Sequence, residues 1–457
     1  MSRWQLVIFL AVAVVACGQA AGQLSDPERD YKAALVSCEA QQCRELPAIL
    51  NGLGSLYYDQ GRYSDSEPLL LRAMDLLRRS EGDRRLLAAA LSNLAALYRI
   101  RGRFAEAKRL YEQARSLQAG EDGNVASSSL LARLALLAQD MGDLAGAEAL
   151  IHSALASLAR MGAKETTESA KALATWAAIL ESQGHPQLAE QELKRALAIH
   201  ERISGANDVS VADALNTLGI NYSHRSQWAD AESSLRRSVA ILRMYPPLPL
   251  LASALNNLGS VWLAQGRKKE AEAAIRQAVA TWELLLGPNH PNVAAGLINL
   301  AAALQARGRD AEAARMLDRA RAIDQQNFPA DHPRIGIDLS RAGALARSRK
   351  RYVEAEDLLR RAYTILESAP PPTDQEFGAV LLNLADVLRL EKKLDPSAEM
   401  YKRGLAIVTA AWGPNDPRLT PWLYGYVSVL RDQKEFVEAA RLELQATRIR
   451  VTKTLRN

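Results

Sequence analysis

Aromatic residues are scarce in this 457-residue chain, at 5% with only five Phe. Large rings therefore do not build the core, and the abundant Ala and Leu point to helices packed closely through small side chains. Cysteine is rarer still, with three residues, and no second Cys/His pair stands at ligand spacing, so no metal site is expected. The longest early apolar run, Leu6 to Ala16, has eleven residues. Spanning a bilayer as a helix takes roughly 20, so this run makes no stable membrane anchor. An excess of one charge is also missing: the formal net charge is +5, spread along the chain. Nucleic-acid binders concentrate Lys and Arg on one face, and none is expected here. There is no Gly-Lys dipeptide for a phosphate-cradling loop and no Gly-x-Ser-x-Gly elbow. His200-Glu201-Arg202-Ile203-Ser204 starts like a zinc-protease helix but lacks the second His. These absences leave no catalytic constellation, and the expectation is a non-enzyme without cofactor.

What is present begins with an export signal. Arg3 is the only charge before Asp26, the apolar run follows it, and small residues at Ala20 to Gly22 offer cleavage sites. Residues 1–20 are read as a signal peptide. Val14-Val15-Ala16-Cys17 also resembles the bacterial lipobox, whose Cys becomes the lipidated first residue. Two readings of Cys17 stand: a lipidation site, or a residue of the signal's apolar core. Export to a periplasm or cell envelope places Cys38 and Cys43 in an oxidising compartment, where a small-loop disulfide is expected. They belong to a segment, 24–44, read as an N-terminal cap helix.

The rest of the chain is periodic. The phrase Gly-Pro-Asn-His-Pro at 287–291 looks like a loop with His290 as its reactive end. A second copy, Gly-Pro-Asn-Asp-Pro, starts at Gly413, 126 residues on and three times 42. A phrase that recurs on a period is punctuation. Turn residues recur at Gly61, Gly102, Gly142, Gly184, Ser226, Gly266, Gly308, Lys350, Lys392 and Lys434, spaced by 40 to 42 residues. A Leu stands at position −11 from each. Position +5 is Ala or Ser in all ten copies, and position +12 is Ala, Ser or Gly. Apolar residues at −11, −8, −7 and −4 make one helical face, and those at +5, +9 and +12 another. Neither helix of such a pair buries its face alone, so residues 45–457 are expected to stack as ten helix–turn–helix units around a continuous core. The Gly- and Pro-rich phrases join one unit to the next, which makes His290 and His332 loop residues.

The segment Leu255 to Val279, LNNLGSVWLAQGRKKEAEAAIRQAV, carries most of the tetratricopeptide pattern: Leu, Leu-Gly, an aromatic, the turn Gly, and spaced Ala. The chain thus resembles the tetratricopeptide repeat family. Its longer period and phrases such as LGPNHPNVAAGLINLA are similar to the kinesin-light-chain type. The pattern departs from the family where Ser226 or Lys replaces the turn Gly. The resemblance implies an all-α superhelix, a solenoid whose first helices line a concave groove that binds an extended peptide.

In the groove-facing slots the sequence places Asn93, Asn257, Asn299 and Asn383, all at −9. By resemblance, such an Asn ladder holds the ligand's backbone; the alternative is that each Asn caps or bridges neighbouring helices. Arg341, Arg347, Arg389 and Arg431 occupy inward slots of the last units, with Arg99 and Arg133 earlier. A wall of one charge favours an acidic ligand; the alternative is pairing with Glu and Asp of adjacent helices. A row at +11, including Arg237, Arg319 and Arg403, is read as structural ion pairing. The expected function is an exported protein-interaction scaffold with a protein or peptide partner, acidic if the Arg wall is free. The rivals are a cell-envelope enzyme or carbohydrate binder using the groove as a cleft, and a solenoid that self-associates. Membrane attachment would come only through lipidated Cys17.

Overall fold

The computed structural model describes residues 27–41, 43–79, 83–118, 125–369 and 374–456. The segment read as a signal peptide, with Cys17, lies outside the described residues. Those residues form 21 α-helices and one short 3-10 helix, Pro417–Leu419, with no strand among them. A leading helix, α1 (Pro27–Gln41), precedes ten pairs. These are α2 (Leu46–Asp59) and α3 (Tyr63–Arg79), α4 (Arg84–Ile100) and α5 (Phe104–Leu117), α6 (Val125–Asp140) and α7 (Leu144–Arg160). Next come α8 (Thr167–Ser182) and α9 (Pro186–Ser204), α10 (Val209–His224) and α11 (Trp228–Leu242), α12 (Pro249–Ala264) and α13 (Lys268–Leu286). The series ends with α14 (Pro291–Ala306) and α15 (Asp310–Asn327), α16 (Pro333–Ser348) and α17 (Tyr352–Ser368), α18 (Asp374–Leu390) and α19 (Leu394–Trp412), α20 (Thr420–Asp432) and α21 (Phe436–Arg456). Every pair straddles one of the ten turn residues, so the fold is an all-α repeat solenoid.

The chain divides into two compact bodies. One holds the described residues up to Leu97 together with Arg109–Gln118; the other holds Tyr98–Lys108 and the described residues from Val125 onward. In the first body α1 is fastened to the first repeat through Glu28. It accepts hydrogen bonds from Arg62 at 2.9 Å and from the Tyr57 hydroxyl at 3.2 Å. Hydrogen bonds with Lys32 and Arg62 outweigh burial and hold its carboxyl down at about 2. A disulfide joins Cys38, within α1, to Cys43, just after it, with Cα atoms 5.0 Å apart.

All ten turn residues have positive φ, between 58° at Ser226 and 81° at Gly266. The backbone must enter the left-handed region to reverse direction between two helices in three residues. Glycine does so without a Cβ clash; Ser226, Lys350, Lys392 and Lys434 do so at a cost.

The small-residue slots explain how closely the paired helices approach. Every Ala and Ser at +5 and +12 is 2% exposed or less. Serine is tolerated because its hydroxyl finds a carbonyl on the facing helix. Ser66 donates to Gly54 at 2.6 Å, Ser238 to Ala212 at 2.7 Å and Ser397 to Ala385 at 2.7 Å. Leu at −11 is buried in nine repeats, with Leu131 half-buried. At −7, Gly343 lies so near Leu359 that an added Cβ would stand 2.7 Å from its Cγ.

The recurring joining phrase is a helix start. His290 precedes α14, and its Nδ1 accepts the backbone N–H of Asn292 at 2.9 Å. His332 does the same for Arg334 at 3.2 Å, Asp208 for Ser210 at 2.8 Å and Asp416 for Arg418 at 2.8 Å. An acceptor there satisfies an N–H that the first turn leaves open. The two histidines read as plain loop residues are therefore caps, and Gly287 and Gly413, at φ 89° and 88°, end the preceding helices.

A second periodic device stitches repeats in series. Glu at +6 of one repeat reaches basic side chains flanking the next turn. Glu190 pairs with Arg225, Glu232 with Arg267 at 2.7 Å, Glu272 with Arg307 and with Arg309 at 2.7 Å, and Glu356 with Lys393 at 2.7 Å. The +11 arginines form an outer row of exposed pairs: Arg237 with Glu201 at 2.7 Å, Arg319 with Glu283 at 2.6 Å, Arg403 with Glu367 at 3.3 Å. Pairs so exposed contribute little, about 0–1 kcal/mol each.

Candidate partner-binding face

The first helix of each pair packs through its −11, −8, −7 and −4 positions, which leaves −13, −9, −6, −3 and −2 on an open face; at −10, Asn216, Asn256, Ser340 and Leu382 are buried beneath it. Asn93, Asn257, Asn299 and Asn383 are all half-buried there. Three of them bridge to the preceding repeat. Asn93 donates its amide to the Asn51 side-chain oxygen at 3.2 Å, Asn257 to Asn216 at 3.0 Å and Asn299 to Asn256 at 3.1 Å. In each case the −9 Asn of one repeat donates to the −10 Asn of the repeat before. Asn383 donates instead to the Ala379 carbonyl of its own helix at 2.9 Å. A primary amide has two N–H donors, so the bridge uses one from each −9 Asn.

The arginines divide into two kinds. Arg347, on α16, pairs with Asp386 on α18, and Arg389 pairs with the same carboxylate at 2.8 Å. The buried Tyr401 hydroxyl donates to Asp386 at 2.7 Å, and the Arg347 guanidinium also lies 5.8 Å from the Trp422 ring centre. Burial pushes the Asp386 carboxyl up, but bonds from Tyr401 and Arg389 and the two guanidinium charges bring it below the usual range. Arg431 pairs with Glu443 at 2.6 Å, and Arg99 with Asp140 at 2.6 Å. Arg341 and Arg133 are exposed and make no ion pair among the described residues. The open charge on the last repeats is thus narrower than the sequence implies, because Asp386 absorbs two of the four arginines.

Between the charged ends lies a neutral stretch. The open face of α12 and α14 presents Ser253, Asn257, Ser260 and Asn299 over the buried Asn256, with no charged residue in those slots. It is flanked on α8 and α10 by a polar cluster in which Asn221 donates to Glu181 at 2.6 Å and His224 lies 3.1 Å from the same carboxylate. That bond to Glu181 raises the affinity of His224 for its proton. Such an array can offer N–H donors to a backbone. Among the described residues no cluster of His, Cys, Asp or Glu is placed to hold a metal ion.

Sequence reasoning missed Asp386 as a hub, the +6 glutamates as stitches, and two buried acids. Asp324 fills slot +16, where other repeats place Leu77, Leu158, Leu242, Trp282, Leu366 and Val408; Asp338 fills slot −12, elsewhere Ala, Leu, Ile or Val in most repeats. An acid in a register that is apolar in most repeats was the available signal, although Gln118, His200 and Arg450 also occupy +16.

Comparisons with known proteins agree with this architecture. A tetratricopeptide repeat family profile matches residues 45–119, 168–244, 250–326 and 297–368, more than half of the chain. Among solved structures, one is titled as the nearly identical TPR-like repeats of a protein assigned as a kinesin light chain of Podosopora anserina. It is 23% identical, covers 44% of this chain and 96% of its own, and superposes with a TM-score of 0.37. BtubC (BKLC) from P. vanneervenii is 25% identical, covers 51% and 92%, and gives 0.39. A Rap protein complexed with competence and sporulation factor is 13% identical, covers 90% and 99%, and gives 0.51. No curated protein sequence matches. The ten turns, the buried small-residue slots and the matched profile together establish that this chain belongs to the tetratricopeptide repeat family.

Proposed function

We propose that the chain is an exported protein-interaction scaffold that takes an extended segment of a partner protein along the open face of its first helices. The observation that carries this reading is the row of amides running from the buried Asn216 and Asn256 to the half-buried Asn257 and Asn299, in register with the repeat. An extended backbone presents carbonyls at regular intervals, and pre-positioned side-chain N–H donors bind them without regard to sequence. Arg341 beside this row adds attraction for an acidic side chain. Membership of a repeat family of interaction scaffolds supports the coarse reading. The Rap neighbour, similar in fold, holds a factor of its own. Export rests on the N-terminal pattern, and the Cys38–Cys43 bond suits an oxidising compartment.

The test uses the full chain on both points. Fractionation and N-terminal sequencing should find the mature protein in the envelope. A lipidated start at Cys17, abolished in Cys17→Ser, marks an anchored form, and an unmodified start near Ala21 a soluble one. A cytosolic protein with residue 1–20 retained would refute export. For the face, a partner captured by wild type from envelope extract should bind the folded Asn257→Ala/Asn299→Ala variant about ten-fold more weakly, a loss of about 1.4 kcal/mol. Equal binding by a variant whose circular dichroism is unchanged would place the partner elsewhere.

A further inference from the structure

The joint between the seventh and eighth repeats contains two carboxyl groups where the other joints are chiefly apolar. Asp324 on α15 is 1% exposed and Asp338 on α16 is 3% exposed. The two side chains lie within hydrogen-bonding reach of each other. As carboxylates they have only acceptors, and Asp324 Oδ1 and both oxygens of Asp338 find no donor. A buried polar atom without a partner is costly, and two like charges in contact away from water are costlier. A single proton placed between them removes both penalties: it converts one oxygen into a donor and cancels one charge.

The surroundings allow one negative charge but not two. Arg334, from α16, donates to Asp324 Oδ2 at 3.2 Å and to the Pro291 carbonyl of α14 at 3.1 Å. Arg321, on α15, adds positive charge but is held by Asp318 at 3.0 Å. Asp331 and His332 stand in the connecting loop, and α17 brings the apolar Ile365 and Leu366 against Gly336. Earlier in the array, the corresponding joint holds His200 against Asp213, an acid facing a base.

This loop also reaches a distant turn. His332 stacks on Phe328 at 4.6 Å, and its Nε2 lies 3.1 Å from the Ile100 carbonyl, 232 residues away in sequence. An atom added at Gly102 as Cβ would stand 3.1 Å from His332 Cδ2, so the histidine sits directly against that turn.

We propose that Asp324 and Asp338 share one proton across the joint between α15 and α16, and that losing it loosens the joint and frees the Ile100–Gly102 turn from His332. The array then carries a pH-responsive hinge between Asn299 and Arg341. This proposal is independent of what the open face binds. Burial and the neighbouring Asp324 raise the Asp338 carboxyl to about 7. A group whose affinity for protons is raised by folding stabilises fully below the ordinary carboxylate range, near 4. That stabilisation is lost as pH rises from there to about 7, and nothing further is lost above.

Hydrogen exchange by mass spectrometry on the full chain, corrected for the intrinsic pH effect, reads the joint directly. Opening of residues 320–340 should increase about ten-fold per pH unit from about pH 5 to about pH 7 and then level off. Asp338→Asn is isosteric, supplies its own donor and should abolish that slope; Asp324→Asn should do the same if the first variant folds poorly. His332→Gln should keep the slope at 320–340 but expose the amides near Gly102 at every pH. A wild-type joint with no slope, or one that Asp338→Asn and Asp324→Asn both leave intact, overturns the shared proton. Protection near Gly102 that ignores pH overturns the coupling.

Discussion

Asn299 donates its side-chain amide to the Asn256 oxygen at 3.1 Å, linking the first helices of two successive repeats on the face that stays open. The bond is polar, half-buried and set on a surface where packing alone would accept Ala. The bond uses one of the two N–H donors of the Asn299 amide. The −9 slot thus carries a bridge between neighbouring helices, a role that spacing alone could not separate from contact with a ligand.

A double-mutant cycle tests the structural half. Asn256→Ala and Asn299→Ala should each destabilise by about 1 kcal/mol, and the double variant by clearly less than the sum, because one bond is lost in all three. Additive losses in chemical denaturation would mean that the two amides do not interact. Asn383→Ala, whose partner is the Ala379 carbonyl of its own helix, should couple to neither.

The left-handed turns offer a stabilising change. Lys350 has φ 62°, a conformation costing a non-glycine residue about 1–2 kcal/mol. Glycine removes that strain but increases the freedom of the unfolded chain by about 0.5–1 kcal/mol. Lys350→Gly should therefore raise stability by about 0.5 kcal/mol, and Ser226→Gly similarly. An unchanged or lower melting temperature for both would mean that these turns carry no strain.

How much of this was legible beforehand depended on whether a residue's role repeats. The ten turns, the small slots and the Leu at −11 announce themselves because the same geometric demand recurs every 40 to 42 residues. Ser at +5 or +12 could be read as small, although the carbonyl that satisfies its hydroxyl could not. Pairing across repeats was opaque. Arg347 and Arg389 share the register of Arg431, yet Asp386 intervenes only in one joint, and a period says nothing about a single acid. His290 and His332 were legible as junctions but not as caps, since a His in that role stands where Asp208 and Asp416 stand in other copies.

Acid should unfasten the stitches between repeats. Burial raises the carboxyls of Glu232 and Glu356, but their hydrogen bonds and ion pairs prevail and hold both at about 2; hydrogen bonding from Lys194 heads the causes that put Glu190 there too. Folding lowers these groups, so their stabilisation is complete above the unfolded glutamate range, near 4.3, and is lost as pH falls towards 2. Melting temperature should drop steeply over that window. Glu232→Gln should be less stable than wild type at neutral pH, and the gap should close near pH 2. A constant gap across the window would show that Glu232 acts by shape rather than charge.

The charge on the open face is best probed where it has no structural duty. Arg347→Glu would set a second carboxylate beside Asp386, which two arginines now neutralise, so it should destabilise the fold by about 1–3 kcal/mol and confuse any binding result. Arg341 is exposed and makes no ion pair among the described residues, and its reversal should leave the melting temperature within about 1 kcal/mol-equivalent of wild type. If the partner is acidic, Arg341→Glu should weaken it about ten-fold, or about 1.4 kcal/mol. The difference should shrink as salt rises, because an exposed charge is screened over roughly 10 Å at about 0.1 M. Asn299→Ala should weaken the same partner without changing its salt dependence, since an amide carries no charge. A partner bound equally by wild type and Arg341→Glu at low salt is not recognised through this arginine, which would leave the amide row to account for the affinity.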